Sequence, residues 1–506
     1  MLTLLGIGTV AALLLLILFR ITSVLVALTL VPLAAALAGG FAGSFGTWAM
    51  DGIRGVTPVA ALLAFAVIYF GVMNDAGLFD PIIRALVRVV GTDPVRIALG
   101  TAAVASVAHL DGAGASTFMV TVPAMLPLYN RARMSALSLT CITALAAGTM
   151  NMLPWGGPTT RAATALQVGA TQLFVPVIPA MVAGMVGVFV FAIRIGRLER
   201  QRIARAPVLL DAGAVADSAE SAAAVHDQTF RLKAEATRPW RVCLPASATR
   251  PWRVCLPASA TRPWRVWLPA SATRLWRVWL PASAGRLRRV FDFRLGSATR
   301  SGIVWFFNAA LTAVTLAILF TERVPLPLVF MIASAIALVV NYPNPHLQRE
   351  RLTRHGEAAM LMVTTIFAAG VFTGVLTKSG MLTSMTTDLV AILPAAALRH
   401  LPVIMAVLSM PLSLVFDPDS FYFGMLPVLA HAADVAGGSG IEVARAAVLG
   451  QMTTGFPVSP LTPATFLLVG LANVDLADHQ RRTIPYAFGV TLLMALAALA
   501  TGALRF

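Results

Sequence analysis

Residues 108–118 (AHLDGAGASTF) place ionisable and hydroxyl side chains between two apolar runs. The flanking runs, residues 95–107 and 119–128, contain 13 and 10 residues, whereas a helix needs about 20 to cross a hydrocarbon core. A turn that carries His109 and Asp111 is costly at membrane depth unless it is buried in protein or lines a watery cavity. We therefore predict the tip of a re-entrant hairpin whose carboxylate, imidazole and hydroxyl groups bind ions or protons.

Three further polar segments interrupt apolar runs. One is a second hairpin at residues 400–430, with its tip at residues 415–424 (VFDPDSFYFG). The others are breaks at residues 151–161 (NMLPWGGPTTR) and 453–463 (TTGFPVSPLTP), where Pro and Gly prevent a continuous helix. Half-helix N-termini offer N–H groups to an anion, and unwound carbonyls offer oxygens to a cation. We predict an ion site where the four segments converge.

The polar side chains and glycines of these segments form the predicted substrate site. Their hydroxyl and amide groups suit both ion types, and the pair Gly156 and Gly157 lets the backbone approach a ligand closely. The predicted substrate-binding residues are Asp111, Gly112, Gly114, Ser116, Thr117, Asn151, Gly156, Gly157 and Thr159 in the first half, and Asp417, Asp419, Ser420, Thr454, Ser459 and Thr462 in the second.

The acids Asp111, Asp417 and Asp419 are unexpected in a site for a bare anion. Carboxylates are ligands for Mg²⁺ or Ca²⁺, and a buried Asp can carry a proton. We predict that all three contact a cation carried with the anion and that, with His109, they couple transport to protons. Capping of turns and helices is the alternative role for the acids, and packing is the alternative for His109. Arg161 either neutralises a substrate carboxylate or anchors the lipid interface.

The composition is that of a polytopic α-helical membrane protein. Of 506 residues, 58% are hydrophobic and 12% are charged, and the mean hydropathy is +0.81, far from the balance of a soluble domain. The net charge of +16 comes mostly from one loop, so we predict a lipid bilayer and no nucleic acid as partner. Nucleotide-binding, metalloprotease and nucleophile-elbow motifs are absent, which predicts no enzyme activity and no cofactor. No metal spacing relates the three cysteines, Cys141, Cys243 and Cys255.

The same order of elements occurs twice, so we predict membrane repeat one over residues 1–195 and repeat two over residues 301–506. Each contains two spans, a third span, an amphipathic segment, a hairpin, a broken helix and a closing span. In repeat one these spans are residues 2–19, 21–39, 57–73 and 174–195, with a Gly-rich loop through Asp51 and Arg54 and an amphipathic helix at 78–91. In repeat two they are residues 302–320, 324–341, 358–376 and 486–504, with an amphipathic piece at 381–392 and basic turns at 349–354 and 479–482.

Residues 196–300 form a predicted cytoplasmic, basic, low-complexity linker. From Thr237 the unit TRPWRVxLPASA recurs about four times with a period of 12. It is either a patch for anionic lipid heads or, as we favour, a tandem duplication tolerated in a loop. With this linker inside, the Lys and Arg distribution makes the repeats inverted, and inverted repeats with broken helices are typical of secondary transporters.

At these segments the chain resembles the bacterial citrate-Mg/citrate-Ca:proton symporters. The matching stretches are NDAGLFDPIIR, HLDGAGASTF, PAMLPLYNR, GTMNMLPWGGPTTRAA, FYFGMLPV and the joint around Pro457. The resemblance implies uptake of citrate complexed with a divalent metal, coupled to protons, across a bacterial inner membrane, with residues 111–117, 151–159 and 417–420 lining the complex. Ala113 stands where the resemblance implies a further acid.

Other functions remain open from the sequence. They are sodium-coupled uptake of a di- or tricarboxylate, proton antiport or arsenite-type efflux by the same superfamily, and a non-transporting scaffold. The wider superfamily is similar to divalent anion/sodium symporters, whose dimers move a transport domain past a scaffold, so a homodimer is also open.

Overall fold

The computed structural model describes residues 1–19, 21–205, 297–319, 323–392 and 394–505. Within these ranges the chain is helical and contains no strand. Residues Met1–Arg205 and Ser297–Phe506 form one compact unit. The predicted 12-residue repeats, with Cys243 and Cys255, lie outside the described residues.

In the first half, the helices follow the predicted order of spans, amphipathic segment, hairpin and broken helix. They are α1 (Leu2–Leu18), α2 (Val24–Ala38), α3 (Ala42–Asp75), α4 (Asp80–Val90), α5 (Pro94–Ala108), α6 (Gly114–Arg131), α7 (Ala136–Met150), α8 (Gly157–Leu166) and α9 (Ala170–Arg205).

In the second half, the order is the same except for one added short helix before the hairpin. The helices are α10 (Ser297–Leu319), α11 (Leu326–Asn341), α12 (Pro345–Lys378), α13 (Met381–Ile392), α14 (Ala395–Arg399), α15 (Leu401–Leu412), α16 (Leu426–Val435), α17 (Gly440–Val448), α18 (Pro463–Leu471) and α19 (Leu476–Ala500). Helix α5 packs on α7 and α9, as α15 packs on α17 and α19. Two points stay predictions: that the two halves are inverted relative to each other in the membrane, and that the hairpins are re-entrant.

Four helices of the described ranges are long and apolar enough to cross a membrane, namely α3, α9, α12 and α19. Helices α3 and α12 have 34 residues each, about 50 Å at the usual rise, whereas a hydrocarbon core is about 30 Å thick. Both therefore extend beyond the apolar layer. The remaining spans are shorter apolar helices, of which α2 packs on α3 and α12 and α7 packs on α9 and α19.

The predicted Gly-rich loop through Asp51 and Arg54 is wrong, because α3 is continuous from Ala42. One of its glycines, Gly52, permits close helix packing instead. A Cβ placed on Gly52 would lie 1.9 Å from the carbonyl oxygen of Gly370 in α12, and one on Gly374 would lie 2.5 Å from the carbonyl of Trp48. Small residues spaced by four let two membrane helices approach to backbone contact, which is what α3 and α12 do here.

Both predicted basic turns in the second half are helical. Residues 349–354 lie in α12 and residues 479–482 lie in α19. A charge of the first set has a partner: Asp75, at the end of α3, accepts from Arg351 at 3.1 Å and, one residue beyond the set, from His355 at 3.0 Å. Helix α9 likewise continues to Arg205, so it includes the first ten residues of the predicted linker.

Replacing Gly52 by Ala is expected to destabilise the protein by at least about 2 kcal/mol, because the new methyl group forces α3 and α12 apart. The measurement is the thermal unfolding midpoint of the detergent-purified full chain. Gly356→Ala is the matched control, since Gly356 is also on α12 and a Cβ added there would meet open space. Equal midpoints for Gly52→Ala and the control would contradict the backbone contact.

Candidate substrate site

The tip of the first predicted hairpin is a short turn that Asp111 caps. A 3₁₀ turn spans His109–Asp111, and Gly112 has a φ of +72°, a left-handed conformation that favours glycine. Asp111 Oδ1 accepts from the Ala113 amide at 2.8 Å, and Oδ2 accepts from the Ser116 hydroxyl. The side chain stays partly exposed, so capping uses part of its bonding capacity and leaves lone pairs for an ion.

The second tip repeats this arrangement with Asp417. Its Oδ1 accepts from the amides of Asp419 and Ser420, at 3.0 and 3.1 Å, and its Oδ2 accepts from the Ser420 hydroxyl. A π-helical turn, Ser420–Met425, then leads into α16. The predicted capping role therefore describes both Asp111 and Asp417, and each tip pairs a carboxylate with a hydroxyl.

His109 joins the first tip to both helix breaks. The imidazole is fully buried, with Nδ1 2.8 Å from Thr117 Oγ1 and Nε2 3.3 Å from Asn151 Oδ1. Asn151 Nδ2 donates to the Met452 carbonyl at 2.7 Å. Because the amide nitrogen of Asn151 is thus used, its oxygen accepts from His109 Nε2–H. His109 Nδ1 pairs with the Thr117 hydroxyl, which also lies 3.0 Å from the Ala113 carbonyl, so His109 connects the first tip to the first break.

The second break is held by residues that the sequence reasoning missed. Met452 has a φ of +57°, which costs a non-glycine residue about 1 kcal/mol or more. Ser413 donates to Gln451 Oε1 and accepts from the Met452 amide at 3.2 Å, and Tyr422 donates to the Gln451 carbonyl at 2.9 Å. The signal in the sequence was a glutamine within an apolar run beside Gly450, which a helix tolerates only with buried partners.

Arg161 and Asp419 form an ion pair between the halves of the chain. Arg161 Nε donates to Asp419 Oδ1 at 2.7 Å, and the two side chains are 24% and 18% exposed. Arg161 Nη1 also lies 3.4 Å from the Gly157 carbonyl, at the start of α8. Arg161 thus faces the second tip and neutralises a carboxylate of the protein itself, while neutralisation of a substrate carboxylate stays a prediction.

Several predicted site hydroxyls are buried and bonded within the breaks. Thr159 donates to the Met152 carbonyl at 2.7 Å, and Thr462 donates to the Phe456 carbonyl at 2.6 Å. Thr454 bonds the hydroxyl of Thr491 in α19, and Ser459 accepts from the Leu461 amide. These groups shape the unwound backbone, as does buried Gly156, whose added Cβ would lie 2.0 Å from the Asn151 carbonyl.

His479, predicted as part of a basic turn, is instead buried in α19 beside the second break. Its Nε2 lies 3.0 Å from the Pro457 carbonyl, and its Nδ1 lies 3.0 Å from Thr140 Oγ1. Since a carbonyl only accepts, Nε2 carries the hydrogen. Each break therefore has a buried histidine against it, His109 at the first and His479 at the second.

An aromatic cluster supports the first tip. Trp155 Nε1 donates to the Leu110 carbonyl at 2.9 Å, and its ring packs against Phe70 and Phe330, with centroids 5.2 and 5.1 Å away. A Cβ on Gly112 would lie 3.2 Å from the Trp155 ring. This buried cluster holds the tip against α3 and α11.

Among the predicted site residues and Arg161, the partly exposed ones are Asp111, Gly112, Gly114, Ser116, Gly157, Arg161, Asp417 and Asp419. In the described part of the chain, no three His, Cys, Asp or Glu side chains cluster closely enough to hold a metal ion. The arrangement can therefore offer carboxylates, a guanidinium and helix N-termini to a ligand that carries both signs of charge, without a resident metal centre formed by these residues.

Comparisons with known proteins agree with this picture. The family model described as "Citrate transporter" matches residues 4–450. A "Citrate transporter" of Bacillus subtilis (strain 168) is 36% identical over 506 residues, covering 100% of both chains. A "Mg(2+)/citrate complex secondary transporter" of the same organism is 33% identical over 505 residues, covering 100% of this chain and 99% of the relative.

The fold also has a solved counterpart. The YdaH transporter of Alcanivorax borkumensis, whose crystal structure reveals an unusual topology, superposes with a TM-score of 0.56, covering 99% of this chain and 98% of that one. The sequence identity is 14%, so this likeness supports the all-helical fold alone.

Proposed function

This chain belongs to the citrate transporter family, and from that membership we propose that it imports citrate complexed with Mg²⁺ or Ca²⁺, together with protons, across a bacterial inner membrane. The family makes the chain a transporter rather than an enzyme. The name of the Mg(2+)/citrate relative supports the metal complex as substrate. The homodimer implied by the wider superfamily is part of the same proposal.

The Arg161–Asp419 ion pair is the observation that carries the proposal. Free citrate would have to draw Arg161 away from Asp419, leaving a half-buried carboxylate unpaired beside a polyanion. Removing one partner of a fully buried pair costs about 3–5 kcal/mol, and this pair, whose side chains are 24% and 18% exposed, would lose part of that. A metal–citrate complex avoids this cost: a citrate carboxylate binds the guanidinium, while Asp419 turns to the metal ion. The ion pair thus favours a substrate that carries both negative and positive charge.

Two helix N-termini add to the anion side of this site. Helix α8 begins at Gly157 and α6 begins at Gly114, and both glycines are partly exposed. The first amides of a helix lack partners within it and attract negative charge. We assign these amides to the citrate carboxylates that Arg161 does not reach. Asp417, partly exposed at the second tip, is assigned to the metal with Asp419.

Asp111 is the proposed proton carrier, because its surroundings satisfy both of its protonation states. When Asp111 is ionised, Oδ2 accepts from the Ser116 hydroxyl. When Asp111 is protonated, its O–H donates to Ser116 Oγ, and the Ser116 hydrogen turns to the Ala113 carbonyl, which lies 2.9 Å away. The buried Thr117 hydroxyl offers His109 a similar choice, since it lies 3.0 Å from the same carbonyl.

Uptake of labelled citrate into proteoliposomes tests the function. We expect uptake to require Mg²⁺ or Ca²⁺, to follow an inwardly directed proton gradient, and to stop with EDTA or a protonophore. Empty liposomes and a sodium gradient without a proton gradient are the controls. Uptake that persists in EDTA and depends on sodium would replace the proposal with sodium-coupled carboxylate symport. If folded protein that is inserted in the liposomes transports no citrate under any of these conditions, import is contradicted altogether.

A further inference from the structure

A basic cleft lies between α9 and α19, away from the substrate site. Its lining residues are Phe191, Arg194, Arg481, Arg482, Pro485 and Tyr486. A second cleft on α9, lined by Val190, Ile193, Arg194, Arg197 and Leu198, shares Arg194 with the first. The two therefore form one basic surface, here called the arginine cleft and comprising Arg194, Arg197, Arg481 and Arg482.

Antiparallel packing brings these four guanidinium groups together. Gly184 of α9 lies against Met494 of α19, whereas Phe191 contacts Tyr486 with ring centroids 5.3 Å apart. Residue numbers thus rise along α9 as they fall along α19. The basic end that follows the apolar part of α9 consequently lies beside the basic start of α19.

The arginine cleft carries an uncompensated positive charge. Within the described ranges, none of its four arginines forms an ion pair with an acid. Glu199, on the same end of α9, is buried and accepts from Ser138 at 2.6 Å and from Arg202. Asp475, the N-cap residue of α19, and Asp478, in its first turn, are the exposed acids at that end of α19. Four guanidinium groups against two exposed acids, neither of which forms an ion pair with them in the described part of the chain, favour an anionic ligand.

An apolar track leads from the cleft toward the middle of the membrane. Val182, Val186 and Val190 are each more than half exposed, and with Arg194 they are spaced by four residues on one face of α9. Both helices are apolar enough to span a bilayer, and the arginines stand at the ends of the apolar stretches. This places the cleft at the lipid interface, where basic pockets between helices meet lipid headgroups.

We propose that the arginine cleft binds an anionic phospholipid, with the headgroup phosphate on Arg194 and Arg481 and an acyl chain along the valine track. Charge complementarity selects the headgroup, and the apolar track distinguishes a lipid from a free phosphate ion. The positive-inside orientation places the cleft at the cytoplasmic leaflet, where anionic lipids are concentrated.

Lipid titration of the purified full chain, followed by native mass spectrometry, tests this site. The probes are dioleoyl phosphatidylglycerol, dioleoyl phosphatidylcholine and inorganic phosphate. We expect selective retention of phosphatidylglycerol, and about 30-fold weaker retention by the Arg194→Gln/Arg481→Gln double variant. The matched control is Arg84→Gln/Arg88→Gln, which removes two exposed arginines of α4 and should retain the lipid as the unmodified chain does.

A second variant keeps every charge. Val190→Trp fills the apolar track beside Arg194 and should reduce phosphatidylglycerol retention while leaving the guanidinium groups in place. Equal retention of both lipids by the unmodified chain would overturn the proposal, as would equal losses in the cleft and control variants. Tight binding of inorganic phosphate that displaces no lipid would show a simple anion site and would also overturn it.

Discussion

Asp419→Asn is expected to lower metal-dependent citrate uptake by at least about 100-fold, because it leaves Arg161 half-buried without its partner and removes the proposed contact to the metal. Loss of one member of a buried pair costs about 3–5 kcal/mol, and each 1.4 kcal/mol is a factor of ten. The measurement is the initial rate of citrate uptake into proteoliposomes, corrected for the amount of inserted protein.

The control for this substitution is Asp51→Asn. Asp51 pairs with Arg54 at 3.2 Å, but both side chains are well exposed, and exposed pairs contribute about 0–1 kcal/mol. Uptake by this variant should match that of the unmodified chain.

The Arg161→Gln/Asp419→Asn double variant separates transport from stability. It removes both charges together, so thermal stability should recover relative to Asp419→Asn alone, while uptake should stay low. If the double variant transports metal–citrate at the normal rate, the ion pair has a structural role and the exchange of partners with the substrate is wrong.

Asp111→Asn is expected to abolish uptake driven by a proton gradient without lowering the amount of protein in the membrane. Asparagine keeps the shape of the carboxylic acid and can donate to Ser116 Oγ as the protonated acid would, so the tip should stay folded. The residue can no longer release a proton. Exchange of internal for external metal–citrate, which needs no net proton movement, should persist in a counterflow measurement.

Asp475→Asn tests whether capping alone accounts for Asp111. Asp475 caps α19 by accepting from the Ala477 amide at 2.8 Å, at an exposed position outside the site. Its substitution should leave gradient-driven uptake within about twofold of normal, since a lost exposed cap costs about 1 kcal/mol or less of stability. Gradient-driven uptake by Asp111→Asn at the normal rate would remove Asp111 from proton coupling.

The helix breaks could be predicted because their causes are local. Pro154, Gly156 and Gly157 disfavour helix wherever they stand, and α7 ends at Met150 while α8 resumes at Gly157. The amphipathic segment after residue 78 was likewise predictable from its spacing, and α4 forms there. Local patterns also predicted the interruptions between α5 and α6 and between α15 and α16, whereas the re-entrant hairpins proposed there stay predictions.

The same local reasoning failed where one residue type serves two purposes. Glycine predicted a loop at residues near Asp51, yet Gly52 permits backbone contact between α3 and α12. Basic residues predicted turns, yet Arg351 neutralises Asp75, and buried His479 forms a hydrogen bond with the Pro457 carbonyl. The residue types were identified correctly, but the contact that explains each residue is made with a partner on another helix.

The sequence by itself determined the class of protein, the positions of the four non-helical segments and the acids that stand in them, because these follow from hydropathy and backbone preference. Only the tertiary structure decided which of those groups meet. Arg161 pairs with Asp419 across a sequence separation of 258 residues, and Asn151 donates to the Met452 carbonyl across a separation of 301 residues. Contacts at such separations depend on how the helices pack, and helix packing is set by complementary shapes across the whole bundle rather than by any local pattern.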